Sequence, residues 1–400
     1  MGAIHSVEEQ LEILGRGAAE VIEREELRTK LLSGRRLVAK LGVDPTAPVI
    51  TLGHAVVLRR LAAFQQLGHR AIFLIGDETG RVGDPCGRSD TRPALSGDDV
   101  ESAAAAFLQQ VGAILDLERV EVRRNSEWLG ALGFRGALEL ASRYTVARML
   151  EREDFAKRFK EAQPIYLHEL VYPLMQGYDS VALGADVELG ATEQKFNLLV
   201  GRQLQREHGQ EPQVLLLMPI LTGLDGTQKM SKSLGNYVAI DESPDEMFGK
   251  LMSIPDRLIG EYLLLAADLA PAEVAARTAA LAGGAAHPRD VKAEMAETTV
   301  SLYHGAAAAR TARERFQRLF AQHEVPEDAP SVRLGDADRS DLAAVLVRAG
   351  LAASTTEVRR LAEQGAVRDG EERLGWDEDL HARVGATLRV GRHRFLRIEA

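Results

Sequence analysis

Two ammonium groups three residues apart, Lys229 and Lys232 in Lys229-Met230-Ser231-Lys232-Ser233, are the strongest chemical signal in this chain. They follow an apolar run, Val214 to Leu221, that reads as a buried strand, and they are reached through Gly223-Leu224-Asp225-Gly226, a turn signal. Cations on a small-residue loop at the carboxyl end of a strand are placed to meet concentrated negative charge. A triphosphate suits them, although a bare pair of lysines serves equally well as a solvated loop. A second group sits far upstream, in Thr51-Leu52-Gly53-His54 at the start of an apolar-faced helix over 52–67. Gly53 lets a ligand approach the backbone, while His54 and Thr46 offer donors near a helix N-terminus, where the macrodipole favours phosphate. A third is Tyr172, Gln176 and Asp179, which at i, i+4 and i+7 share one face of a helix over 165–183. The rest of that helix is apolar enough to be buried, so its polar face needs partners, and a polar ligand would supply them.

The elements that position these groups follow from periodicity. Arg36 to Val43 reads as a strand ending in Asp44-Pro45-Thr46-Ala47-Pro48, which continues neither strand nor helix. The helix and a second apolar run, Arg70 to Ile75, complete a βαβ unit, predicting a parallel sheet with its ligand site at the carboxyl ends of the strands. Gly76, Gly80, Gly83, Pro85 and Gly87 make the next stretch a loop, carrying Asp84, Arg88 and Arg92. A cationic loop of this kind can close as charge develops, so that its binding energy is spent on the transition state. Helix is expected over 99–115 and 134–158, strand and then turn over 120–128, and Pro173 should start or kink the helix it lies in. Strand is expected over 181–189, ending at Gly190-Ala191-Thr192-Glu193-Gln194, where small residues and then a carboxylate suit a ribose. Pro219, Ile220 and Leu221 are candidate walls for an adenine. Residues 6–34 read as a surface helix, 245–322 as helix-rich, and the Pro- and acid-rich stretch 324–337 as a linker.

Four hundred residues imply two or three domains, and 45% hydrophobic content supplies real cores. No window nears a membrane span and the first thirty residues are charged, so a soluble cytoplasmic protein is expected, with no membrane partner. Cys86 stands alone, which excludes an internal disulfide and an all-cysteine metal site; no metal ligand set is read in the sequence. A net charge of −10 argues against bulk nucleic-acid binding, but from Ser331 onward twelve arginines balance twelve acids, so the acidity lies before that point.

Lys-Met-Ser-Lys-Ser resembles the second signature of class I aminoacyl-tRNA synthetases, and Thr51-Leu-Gly-His54 the first, with Thr51 where the first histidine of that signature usually stands. The surrounding Gly42-Val-Asp-Pro-Thr-Ala-Pro48 and the Tyr-x-x-x-Gln-x-x-Asp spacing at 172–179 are similar to the tyrosyl branch. Gly83-Asp-Pro-Cys-Gly-Arg88 resembles its Gly-Asp-Pro-Ser-Gly-Lys loop. The last sixty residues, with Ser354 and Glu357 as a capping box and Arg359 and Arg360 projecting from the helix, resemble the alpha-L RNA-binding motif. The resemblance covers Lys40 to Ile398.

It implies an α/β architecture: a Rossmann-like parallel-sheet catalytic domain over 1–238 with a dimer-forming insertion near 125–165, an α-helical anticodon-side domain over 239–323, the linker, and a small α+β RNA-binding domain over 338–400. It implies ATP and L-tyrosine as substrates, Mg²⁺ accompanying ATP, tRNA(Tyr) as partner and a homodimer. Tyr172, Gln176 and Asp84 would hold the α-amino group, Asp179 the phenol, and Gln194 part of the pocket. Lys40 aligns with a phenol-contacting Tyr of the family. Gly53, Gly190, Glu193, Pro219, Ile220 and Lys232 would bind ATP, with Lys229, Lys232, His54, Thr46, Arg88 and Arg92 acting on its phosphates. A tryptophanyl-type enzyme shares both signatures, and a non-catalytic RNA-binding paralogue could use the terminal domains alone.

Overall fold

The computed structural model describes residues 5–45, 49–85, 97–321, 329–334, 341–370, 372–391 and 394–399. These residues form two compact units, Met1–Ala309 and Arg310–Ala400. By packing, 239–309 belong with the first unit, whereas a division drawn from the sequence falls at 238 and 323.

The first unit is built on a six-stranded sheet in the order β1-β6-β5-β2-β3-β4. Its strands are β1 (Glu20–Ile22), β2 (Val38–Val43), β3 (Arg70–Ile75), β4 (Glu121–Arg124), β5 (Val187–Ala191) and β6 (Val214–Met218). All neighbours are parallel except β1, which runs antiparallel to β6. The Val-Leu-Leu-Leu-Met run of β6 is buried at every position, as a strand covered on both faces requires. Chain order reverses between the adjacent strands β2 and β5, and the crevice beyond their carboxyl ends is where such a sheet takes its ligand. The Leu52–Gln66 helix links β2 to β3, and the Leu167–Leu183 helix leads into β5.

Three local expectations are corrected. Residues 6–34 are not one helix: Gly15 caps a Val7–Leu14 helix, β1 follows, and a second helix runs over Arg24–Leu32. Three residues of edge strand are too few to show a period of two. The stretch 181–189 is not all strand, because the preceding helix runs through Leu183 and Gly184 ends it with φ +58°. Pro173 lies buried inside that helix without ending it. The linker also contains structure: Ser331–Arg333 is a strand, β7, parallel to the strand over Arg394–Glu399. Its Val332 packs on an apolar core that compositional reading of a Pro- and acid-rich stretch does not reveal.

Beyond β6, helices span Pro244–Met252, Ile259–Leu265, Pro271–Ala282 and Pro288–Ala321. Pro244 and Pro271 occupy first-turn positions, where a missing N–H costs nothing. Buried Arg60 ties this layer to the Leu52–Gln66 helix by pairing with Asp268 at 2.5 Å. In the second unit β7, β8 (Val367–Asp369), β9 (Glu372–Arg373), β10 (Thr387–Val390) and β11 (Arg394–Glu399) form a sheet in the order β7-β11-β10-β8-β9. Helices Leu342–Arg348 and Thr355–Glu363 share its apolar core, with Leu346, Val358 and Leu388 among the buried residues.

Candidate active site

A cavity of about 500 Å³ opens at the carboxyl ends of β2 and β5. It brings together groups more than a hundred residues apart in sequence: His54, Asp84, Tyr172, Gln176, Asp179, Gln194, Lys229 and Lys232 all line it. Gly53, Gly190, Glu193, Pro219 and Ile220 line it as well. Thr46, Arg88 and Arg92 lie outside the described residues. Arg359 and Arg360 belong to the second unit, exposed on the Thr355–Glu363 helix.

Lys40 is corrected. It does not line the cavity but lies fully buried on β2, paired with Glu188 of β5 at 3.1 Å. Its neighbours Leu41 and Gly42 line the cavity, whereas the Lys40 ammonium is taken up by Glu188 and by the Gln176 carbonyl.

At the cationic end, the loop is held open by its own turn. Asp225 accepts the backbone N–H groups of Gln228 and Thr227 and the Asn236 amide, and these bonds bring its pKa down to about 2. Asn236 in turn accepts from Ser231 N–H at 2.8 Å and donates to the Lys229 carbonyl at 3.1 Å. The lysine tips remain accessible, with Lys229 Nζ 3.0 Å from Glu193 Oε2. Gly226 adopts φ +81°, and a Cβ at Gly223 would lie 2.2 Å from the Asn236 amide, so neither position of this turn accommodates a side chain.

Across the cavity, Thr51 caps the Leu52–Gln66 helix. Its backbone N–H donates to His54 Nδ1 at 3.1 Å, with the hydroxyl at 2.9 Å from the same nitrogen. Nδ1 is thereby the acceptor, which leaves the proton of the neutral ring on Nε2. The ring is open on the cavity side and walled by protein elsewhere; this enclosure, and then the charge of Lys232, bring its pKa down to about 4. His54 is therefore a neutral donor at physiological pH, and Thr51 supports it without being an imidazole.

The end lined by Tyr172, Gln176 and Asp179 is more enclosed. Tyr172 donates to Asp44 Oδ2 at 2.9 Å, and Thr79 donates to Asp44 Oδ1 at 2.7 Å, which turns the Tyr172 oxygen lone pairs away from Asp44. A Cβ at Gly76 would fall 2.2 Å from Asp44 Oδ1, so this contact requires glycine. Asp179 is buried, and that burial raises its pKa to about 7 against the opposing pull of Lys40, Trp128 and Asn125. Trp128 Nε1 donates to Asp179 Oδ1 at 2.8 Å and Asn125 Nδ2 to Oδ2 at 3.4 Å. Asp84 stands 3.6 Å from Arg152, a buried cation that also pairs with Asp154. Asp44, Thr79, Asn125, Trp128, Arg152 and Glu188 are thus structural partners of the site that sequence reading did not single out. Asp44 stood in the quoted turn, and Asn125 closes β4; the others gave no local signal.

In sequence, residues 32–321 match the family model described as tRNA synthetases class I (W and Y). A tyrosine–tRNA ligase of Moorella thermoacetica is 53% identical over 397 residues, covering 98% of this chain and 96% of that protein. One of Oleidesulfovibrio alaskensis is 51% identical over 393 residues, covering 98% and 99%. In structure, the tyrosyl-tRNA synthetase of Archaeoglobus fulgidus complexed with L-tyrosine superposes with a TM-score of 0.63 at 25% identity, covering 77% of this chain and 100% of that one. The chain belongs to the class I aminoacyl-tRNA synthetases, in the family of tryptophanyl and tyrosyl enzymes. The similar sequences spanning nearly its whole length are tyrosine–tRNA ligases.

Proposed function

We propose that this chain activates L-tyrosine with ATP, releasing pyrophosphate, and transfers the tyrosyl group to the 3′ end of tRNA(Tyr). The convergence of the Tyr172, Gln176, Asp179 face with His54 and the Lys229 loop on one cavity carries this reading. The tyrosine carboxylate attacks the α-phosphate in line and pyrophosphate leaves, with no covalent enzyme intermediate. Catalysis is positioning and charge stabilisation. Tyr172, Gln176 and Asp84 take the ammonium, and the ionised Asp179 accepts from the phenol, so that phenylalanine leaves a buried acceptor unpaired. Lys229, Lys232, the His54 Nε2–H, Thr46, Arg88 and Arg92 meet the phosphates; Gly53, Gly190, Glu193, Pro219 and Ile220 hold the nucleoside. Mg²⁺ arrives on the triphosphate as part of the substrate.

Arg359 and Arg360 contact the tRNA backbone, where guanidinium forks suit phosphate oxygens. The second subunit of a homodimer covers the apolar side chains left bare in the 126–167 segment, of which Phe134 and Leu167 are each 82% exposed. No described helix is long and apolar enough to cross a membrane, and the protein works in the cytoplasm. Exchange of labelled pyrophosphate into ATP should depend on tyrosine and not on tryptophan or phenylalanine. Exchange driven by tryptophan would move the chain to the other branch of its family, and RNA binding with no exchange at all would make it a non-catalytic paralogue.

A further inference from the structure

Behind the amino-acid end of the cavity lies a chain of buried polar groups whose members differ in a useful way. Arg152 has only donors and Glu188, ionised, only acceptors, whereas Asn197 and Gln176 each carry both a donor and an acceptor and could face either way. Arg152 Nη1 donates to Asn197 Oδ1 at 3.1 Å. Asn197 Nδ2 donates to Gln176 Oε1 at 3.0 Å, and Gln176 Nε2 donates to Glu188 Oε1 at 3.3 Å. Glu188 further accepts from Ser180 Oγ at 3.1 Å and from Gln213 Nε2, and pairs with Lys40 Nζ, which also donates to the Gln176 carbonyl at 3.3 Å. Four donors on one buried side chain leave no place for an NH₂ or OH there, so Glu188 is a carboxylate. Lys40 is the charge that makes this tolerable in a dry site.

We propose that Arg152, Asn197, Gln176, Glu188 and Lys40 form a polarised relay whose fixed ends turn the Gln176 amide oxygen, not its nitrogen, toward the amino-acid substrate. Lys40 and Glu188 are then positioning residues for amino-acid binding, although neither needs to touch the ligand. The inference rests on the reading above in which Gln176 takes the substrate ammonium: an oxygen attracts that group and an NH₂ repels it. Helix spacing supports the relay, because the helices carrying Gln176 and Asn197 approach through Gly177 and Gly201. A Cβ at Gly201 would lie 2.7 Å from Gln213 Nε2 and 3.0 Å from Ser180 Oγ.

The test is Glu188→Gln, which makes the acceptor-only end ambivalent, read by equilibrium binding of two probes to the full-length protein. One is L-tyrosine; the other is 3-(4-hydroxyphenyl)propionate, which lacks the amino group. Tyrosine should bind roughly ten- to hundredfold more weakly, the worth of one charge-assisted hydrogen bond, while the desamino probe is unaffected. Equal weakening of both probes, or of neither, overturns the relay. Lys40→Met removes the cation paired with Glu188, so the ratio of tyrosine to desamino-probe affinity should fall in this variant too; an unchanged ratio counts against the relay. Should either variant fail to fold, the neutral pair Lys40→Met with Glu188→Gln keeps the volume and the same two-probe readout. A native protein that does not prefer tyrosine to the desamino probe refutes the ammonium contact at Gln176 itself, separately from the relay.

Discussion

Replacing Asp179 by Asn should make the empty protein more stable and less selective. Burial brings this carboxyl's pKa up to about 7 from 3.8, so keeping it ionised above neutrality costs the fold on the order of 4 kcal/mol. The unfolded group ionises near 3.8 and the folded one only near 7, so stability is lost as pH rises between those values and stays low above them. Asparagine removes that term. It keeps an acceptor for Trp128 Nε1 but turns an NH₂ toward the Asn125 amide, which forfeits about 1 kcal/mol. The net gain is then about 3 kcal/mol at pH 8, shrinking to under about 1 kcal/mol at pH 5. Urea unfolding of both proteins at the two pH values measures it. Tyrosine-dependent exchange on the same samples should lose at least about tenfold in preference for tyrosine over phenylalanine, one hydrogen bond to a charged acceptor being removed. An Asn variant whose stability advantage over the native protein is no larger at pH 8 than at pH 5, or one that retains its selectivity, refutes this account of the carboxylate.

Lys229→Ala should slow tyrosine activation roughly a hundredfold in a pre-steady-state burst while leaving tyrosine affinity unchanged, because its partner is the developing charge on the phosphates; an unaltered burst rate contradicts the assignment. The His54 ring, with a pKa of about 4, should show no titration between pH 5 and 8 in its proton resonances. Because the unfolded ring protonates near 6.5, stability should be lost as pH falls from there toward 4. Phe134→Asp combined with Leu167→Asp should give a monomer by sedimentation at concentrations where the native protein is dimeric; a native monomer would remove the proposed interface.

Sequence pattern carries far here where the chemistry is local. Tyr172, Gln176 and Asp179 share a helix face by spacing alone, and the lysine loop follows a run so apolar that only a buried strand fits it. Partners contributed by distant elements are another matter. Trp128 and Asn125 reach Asp179 from about fifty residues away, and nothing around them distinguishes a residue that orients a carboxylate from one that caps a strand. Lys40 failed for a different reason: aligning it with a ligand-contacting residue assigned a role by position, whereas a buried ammonium must answer first to its counterion, and Glu188 supplies it. The short strands β1 and β7 escaped because pairing with a neighbour, not propensity, creates them.

The Lys229–Glu193 ion pair, at 3.0 Å, joins two side chains that the proposed function assigns to different parts of ATP. Each member already rests against an opposite charge, and under the proposed function each must let go for a nucleotide to settle: the carboxylate to greet sugar hydroxyls, the ammonium to follow phosphate. On that proposed assignment, admission of ATP is a trade of partners for both side chains.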